Sequence, residues 1–374
     1  MPRNEQKEEE RPVKQAAQSC APVQIAVIGY GGMGSWHAAQ LEEMPQFAVR
    51  GVYDIREERN ALAREKGFYA YASLEELLAD TQLELVTIAT PNDLHKELAI
   101  AAMRAGKAVV CEKPVALNSG ELEEMIAVSH ETGRLFTVHQ NRRWDPDYLT
   151  MKRVFDEGTL GRTFRVESKV HGSRGVPGDW RNTREHGGGM VLDWGIHLLD
   201  QALMMAEHYR LRSVYASLDH ITNDEVDDGL RVILKFEPEL EILVEVGTSN
   251  FIELQRWYML GENGSAILRS WEPEDGEIVM VSDWENRDAV PVQAGVGLTK
   301  TMAPRTEDTI KRYPLPAVHA EWSQFYENIY DVLRNGAAQL ITHEQLRRSM
   351  RLMEAIFRSA EGNQVVKDPL GAVV

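Results

Sequence analysis

Two successive domains are predicted: an α/β domain on a parallel, doubly wound sheet, then an α+β domain on a large, mainly antiparallel sheet. Three observations predict them. Up to about Asn141, short apolar runs alternate with helix-patterned segments, the rhythm of βαβ units. Beyond that point the strand-like runs lengthen and partly alternate, as in Ile242-Leu243-Val244-Glu245-Val246, which suits a sheet with one covered face. Finally, 374 residues, 43% of them hydrophobic, are more than one core usually organises. The expected division is a disordered tail over 1–22, the α/β domain over 23–142 and the α+β domain over 143–374.

The first strand is Val23–Ile28, followed at once by Gly29-Tyr30-Gly31-Gly32-Met33-Gly34. Ser35–Met44 reads as a helix ended by Pro45, and Phe47–Tyr53 as the second strand. Arg56–Glu65 and Ser73–Ala79 are helical, with Ser73 as N-cap and Glu76 three residues on. Strands at Leu85–Ala89, Ala108–Cys111 and Leu135–His139 alternate with helices at Leu94–Ala105 and Ser119–Thr132. A helix over Pro146–Glu157 opens the second domain. Its strands are expected at Arg162–Val170, Ser213–Leu218, Gly229–Phe236, Glu241–Thr248 and Arg256–Leu260, and two helices near Ala320–Asn335 and His343–Ala360 complete it. Ser282–Arg312 reads as a long loop.

Composition removes several classes. With 41 basic against 58 acidic residues the formal charge is −17, a poor match for a phosphate backbone, so no nucleic-acid partner is expected. Cys20 and Cys111 alone support neither a disulfide framework nor a cysteine zinc site, and a reducing cytoplasm is the expected compartment. Met1–Ala21 is rich in charge and lacks the apolar stretch of a secretory signal. No apolar run is long enough to span a membrane.

Gly29-x-Gly31-x-x-Gly34 lies between a strand and a helix, the context that makes the pattern informative. The first glycine allows the tight turn, the second lets the backbone approach a pyrophosphate, and the third lets helix and strand pack closely. The helix N-terminus offers free N–H groups to phosphates. Asp54 ends the second strand twenty residues after Gly34, where a carboxylate accepts hydrogen bonds from the adenine-ribose hydroxyls. It would repel a 2′-phosphate, so NAD is favoured over NADP, although Arg56 is of the type that pairs with a phosphate. The expected cofactor segment is Gly29, Tyr30, Gly31, Gly32, Met33 and Gly34, with Asp54, Ile55 and Arg56.

Further motifs sit directly after the strands Leu85–Ala89 and Ala108–Cys111 and in the second domain: Thr90-Pro91-Asn92-Asp93-Leu94-His95, Glu112-Lys113-Pro114, and Gly187-Gly188-Gly189-x-x-x-Asp193-x-Gly195-x-His197-x-x-Asp200. Together they resemble the glucose–fructose oxidoreductase / inositol dehydrogenase / MocA family over nearly the whole chain after the tail. The resemblance implies a Rossmann domain followed by a domain with a large open sheet, NAD or NADP as cofactor, and a polyhydroxylated substrate. It also implies a homodimer, homotetramer or higher homo-oligomer packed through the open sheet.

Oxidising a secondary alcohol requires a hydride to leave carbon and a proton to leave the hydroxyl, so a base and a charge facing the developing alkoxide are needed. Lys113, beyond the carboxyl end of a sheet strand, and His197 are the right types. The resemblance places Lys113 near nicotinamide and substrate, makes His197 the acid/base, and makes Asp193 its partner or a substrate ligand. Thr90, Pro91, Asn92, His95, Glu112 and Lys113 are expected on the cofactor side. Asn141, Arg142, His171, Trp180, Asp193, His197 and Asp200 are expected on the substrate side. A metal at Asp193 and His197 lacks a third ligand at a suitable spacing, and none is expected. The function expected is hydride transfer between NAD and a secondary hydroxyl of a sugar, cyclitol or glycoside, glycoside 3-dehydrogenation included. The alternatives are a glycosidase that recycles NAD through oxidation and elimination, and a non-catalytic nucleotide sensor.

Overall fold

The computed structural model describes residues 21–286 and 289–371. The tail expected over 1–22 therefore lies almost wholly outside the described residues. The first sheet is parallel, in the order β2-β1-β3-β4-β5, from β1 (Val23–Ile28), β2 (Phe47–Tyr53), β3 (Leu85–Ile88), β4 (Ala108–Cys111) and β5 (Phe136–Val138). Strand order reverses direction at β1, between β2 and β3, which opens a crevice at the carboxyl ends of the strands. These strands are apolar because both faces are covered, and β3, β4 and β5 are buried along their whole length.

The helices are α1 (Gly32–Glu42), α2 (Glu57–Glu65), α3 (Leu74–Ala79), α4 (His95–Arg104) and α5 (Ser119–Thr132). Local chemistry sets their starts. The Ser73 side chain accepts the Glu76 N–H at 3.1 Å, as the sequence spacing predicts, and Asn118 caps α5 in the same way through Glu121.

The second sheet has nine strands. After α6 (Pro146–Asp156) come β6 (Thr163–His171), α7 (Ile196–Met205), β7 (Arg210–Asp219), β8 (Gly229–Glu237), β9 (Leu240–Gly247) and β10 (Trp257–Gly261). β11 (Gly264–Leu268), β12 (Gly276–Val281), a β13–β14 hairpin (Val292–Ala294 and Gly297–Thr299) and β15 (Ile310–Tyr313) follow, then α8 (Ser323–Asn335), α9 (His343–Gly362) and β16 (Val366–Lys367). Neighbours run antiparallel except the parallel pair β6 and β9. Val232, Leu234, Ile242, Val244 and Val246 are buried on one face. The opposite face of the same strands carries ion pairs such as Lys235–Glu241 and Arg231–Glu245. One face is covered and one open, as the alternation predicts.

One expectation needs correction. Ser282–Arg312 is not a plain loop: it holds the β13–β14 hairpin and the start of β15, a charged edge strand (Ile-Lys-Arg-Tyr) whose sequence hides its pairing. The segment carrying Asp193 is not a regular α-helix at its start, because Val191–Gly195 form one wider π-turn before α7 begins.

α8 returns to the first sheet. Its Tyr326 is fully buried, stacks edge-on against Phe47 and meets Thr87 of β3 through its hydroxyl at 3.1 Å.

Candidate active site

The glycine turn has the shape a dinucleotide requires. Gly29 sits at φ +90°, and a Cβ there would lie 2.5 Å from the Ala89 carbonyl oxygen. A Cβ on Gly34 would collide with the Gly29 carbonyl, so α1 packs directly on the turn. A Cβ on Gly31 or Gly32 would meet nothing within 4 Å. Those two glycines border open space, and Gly31, the N-cap of α1, supplies no side-chain cap to the helix N–H groups. Asp54 directly follows β2 and is buried; it accepts the Tyr30 N–H at 2.7 Å and the Arg56 N–H at 2.9 Å. Ile55 beside it is 88% exposed, an apolar side chain open to a planar ring. The Thr90 hydroxyl is buried at the end of the β3 turn, without a hydrogen-bond partner among the described residues. Free helix N–H groups, missing side chains and an orphan hydroxyl along one crevice fit a dinucleotide.

At the far end of that crevice, Lys113 follows β4, and its peptide bond to Pro114 is cis. The Lys113 ammonium donates to the Asp193 carboxylate at 2.8 Å and approaches the Asp193 carbonyl at 3.2 Å. Asp193 also faces the Arg181 guanidinium at 3.7 Å. Burial pushes the Asp193 carboxyl up, but Lys113 and Arg181 outweigh it and hold the group below the usual carboxylate range. His197, four residues on, is 6% exposed, and its Nδ1 has no hydrogen-bond partner among the described residues. Burial, then the Lys113 and Arg142 charges, push its pKa well below the ordinary value, so the imidazole is neutral at pH 7.

Asp193 and Trp194 line a cleft of about 530 Å³ together with His171, Arg174 and Trp271. His171 is fixed by Glu245 at 3.0 Å. Trp194 and Trp271 lie 6.0 Å apart, and Arg142 stacks 4.1 Å over the first. A half-buried ammonium and a buried imidazole beside an aromatic cleft can take a proton from a hydroxyl and stabilise the resulting negative charge.

Residues 23–140 match the sequence model of the oxidoreductase family with an NAD-binding Rossmann fold, and residues 148–267 match the GFO/IDH/MocA C-terminal domain. The chain belongs to the Gfo/Idh/MocA family. It is thus an oxidoreductase with a nicotinamide-dinucleotide-binding domain. The crystal structure of an NAD-binding protein from Listeria innocua superposes with a TM-score of 0.90 at 45% identity, covering 93% of this chain and 100% of that one. The scyllo-inositol 2-dehydrogenase (NADP(+)) IolW of Bacillus subtilis is 27% identical over 92% of this chain and 95% of its own length. Inositol 2-dehydrogenase 2 of Saccharopolyspora erythraea is 35% identical over 65% of this chain and 72% of its own.

Several expected ligands of this family member are engaged elsewhere. Asp200 spends both carboxylate oxygens on Arg143, each at 2.7 Å, so it braces α7 against Asn141–Trp144 instead of offering a free oxygen to substrate. Asp193 pairs with Lys113, not with His197. His95 is fully buried, and its ring nitrogens meet the carbonyls of Pro114 and Thr90 at 2.9 and 3.0 Å. Asn92 donates to the Gly187 carbonyl at 2.8 Å, tying the Thr90–His95 turn to the glycine-rich segment of the second domain. Pro91 starts that turn, while Met33 and Asn141 are partly exposed. The Trp180 ring carries the Arg181 guanidinium 4.4 Å above it and does not line the cleft. Glu112 has both oxygens engaged inside the protein.

Sequence reasoning overlooked Trp194, Arg181, Trp271 and Asp227. Asp227 accepts the Val191 N–H at 2.7 Å, and a Cβ on Gly189 would strike its carboxylate, so it shapes the turn that presents Asp193. Burial pushes its pKa up to about 6. The acidic pair Asp227-Asp228, directly ahead of an apolar strand, was the available signal. Trp271 gave none, because only folding brings it beside Trp194. Among the described residues the side chains grouped like metal ligands are His37, Glu112 and His139, all buried, and not the Asp193–His197 pair.

Proposed function

We propose that the protein is an NAD-dependent dehydrogenase acting on a secondary hydroxyl of a cyclic polyol, a sugar, cyclitol or glycoside. The observation that carries this reading is the neutral, buried His197 beside the Lys113–Asp193 ion pair at one end of the dinucleotide crevice. Bound nicotinamide supplies the hydride acceptor. His197, held neutral by burial and by the Lys113 and Arg142 charges, takes the hydroxyl proton. Lys113 offers its ammonium to the oxygen as negative charge develops, and Asp193 aims that ammonium. The Trp194–Trp271 wall and the Arg142 cation present apolar and polar surface to a hydroxylated ring. The inositol dehydrogenases among the relatives support a cyclitol in particular.

For the cofactor, Gly29, Gly31, Gly32 and the α1 N-terminus would hold the pyrophosphate, Asp54 the adenine ribose, Ile55 the adenine and Thr90 the nicotinamide ribose. Asp54 favours NAD, while Arg56, half exposed and 3.4 Å from Asp54, is the group a 2′-phosphate would recruit. A homo-oligomer joined through the open sheet is part of the same proposal. The test is reduction of NAD and of NADP over a panel of inositols, sugars and aryl glucosides, with products identified. Stoichiometric NADH and an intact ketone are expected. Free aglycone without net NADH would instead establish the NAD-recycling glycosidase, and binding without turnover across the panel the nucleotide sensor.

A further inference from the structure

We infer that Glu112, clamped between His37 and His139, is a positioning residue that sets the place of Lys113 and couples it to the helix that opens the cofactor crevice. The inference rests on the dehydrogenase reading only in that Lys113 is the group being placed.

Glu112 is 6% exposed, yet among the hydrogen bonds and ion pairs of the described residues no lysine or arginine side chain pairs with it. Its Oε1 accepts from His37 Nε2 and from His139 Nδ1, each at 2.8 Å. Its Oε2 accepts the backbone N–H of Lys113 at 3.1 Å. A buried carboxylate is costly unless fully hydrogen-bonded, and apolar residues of similar volume would fill the space more cheaply. The retained charge therefore calls for a role beyond packing.

The connections supply one. His37 lies on α1, three residues after Gly34, and α1 begins at the open phosphate turn. Tyr326 from α8 meets His37 Nδ1 at 2.9 Å, which leaves the Nε2 hydrogen for Glu112. His139 follows β5 and packs against Trp36 and Phe325. On the other side of the same turn, His95 holds the Pro114 carbonyl. The Lys113 backbone is thus gripped from both sides, and only its side chain is free to reach Asp193. His37 and Glu112 link α1 to the Lys113 N–H through two consecutive hydrogen bonds.

The three donor atoms also lie within 4.8 Å of one another, a grouping that metal ions use. Here both imidazole N–H groups are spent on a single carboxylate oxygen, which satisfies the cluster without an ion.

The experiment compares Glu112→Ala, which removes the acceptor, with Glu112→Gln, which keeps one for the Lys113 N–H. Wild type and variants are followed by kcat and KM for the best polyol, by NAD affinity from tryptophan quenching, and by the NMR resonance of isotopically methylated Lys113. Glu112→Ala should lose about 10²-fold in kcat, with KM and NAD affinity within about threefold, as expected for a misplaced reacting group. It should also move the Lys113 resonance, and Glu112→Gln should recover at least about tenfold of the loss. If Glu112→Ala does not fold, His139→Phe replaces it, with the same direction in kcat and in the resonance. Unchanged kcat, a loss confined to NAD affinity, no rescue by glutamine, or a stoichiometric metal in the purified protein would overturn the inference. The Lys113 resonance needs no substrate. A wild-type protein inert on every polyol would therefore count against the proposed function, while the resonance would still decide the positioning role.

Discussion

His197 is buried beside two cations, and in the proposed mechanism the protonation state of this one ring sets the pH behaviour of the site. Its pKa is lowered first by burial and then by Lys113 and Arg142. Removing a positive neighbour favours the protonated ring. Arg142→Gln should therefore raise the His197 pKa and move the acid limb of the kcat/KM profile to higher pH, which a pH series under subsaturating substrate would show. An acid limb that stays in place or moves down would separate His197 from the base. The sequence disclosed the residue types here, Lys113, Asp193 and His197, because the motif spacing carries them. It did not disclose their pairing. Asp193 lies 80 positions from Lys113, and Asp200 lies 57 positions from the Arg143 that occupies it. Such partners are chosen by the packing of α7 against the turns after β4 and β5, which no local pattern records.

At the scale of elements, β1 and the glycine turn were legible because glycine is demanded by contacts that any side chain would violate, although α1 starts inside the turn at Gly32 rather than at Ser35. That gives two opposite expectations. Gly34→Ala forces a Cβ into the Gly29 carbonyl and should destabilise the fold by roughly 1–3 kcal/mol, seen as a lower denaturation midpoint. Gly31→Ala adds a Cβ into open space, so the midpoint should stay within ~2 °C while NAD affinity falls at least about tenfold. Equal destabilisation by both would contradict the geometry. The short strands β11, β12 and β15 were not legible. Each has only four to six residues and takes its register from a neighbour rather than from its own alternation. The π-turn at Val191–Gly195 was also hidden, since it depends on Asp227 gripping the Val191 N–H from a distant segment.

For the molecule as a whole, the buried ionisable groups set opposing pH dependences. His37, His95 and His197 have pKa values lowered chiefly by burial, so the unfolded chain binds more protons than the folded one below about pH 6.5. Their contribution is complete above that pH and is lost as pH falls. Asp227 acts in the other sense. Raised to about 6, it contributes stability below its unfolded value that is lost as pH rises through about 6. Asp227→Asn keeps an acceptor for Val191 but cannot ionise. Relative to wild type it should gain up to about 3 kcal/mol between pH ~4 and ~7.5, measured by denaturant unfolding at each pH. A constant difference across that range would show that Asp227 does not titrate as its burial requires. The two-sheet architecture was readable from the change of rhythm near Asn141. The return of α8 onto the first sheet was not, because its amphipathic pattern does not say which sheet its buried face meets. The proposed hydride transfer is checked by following single-turnover NADH formation with a cyclitol in wild type, Lys113→Met and His197→Ala, alongside NAD binding. A burst of NADH is expected in wild type and a rate about 10²–10⁴-fold lower in each variant, with NAD still bound. Wild-type rates in both variants would contradict it.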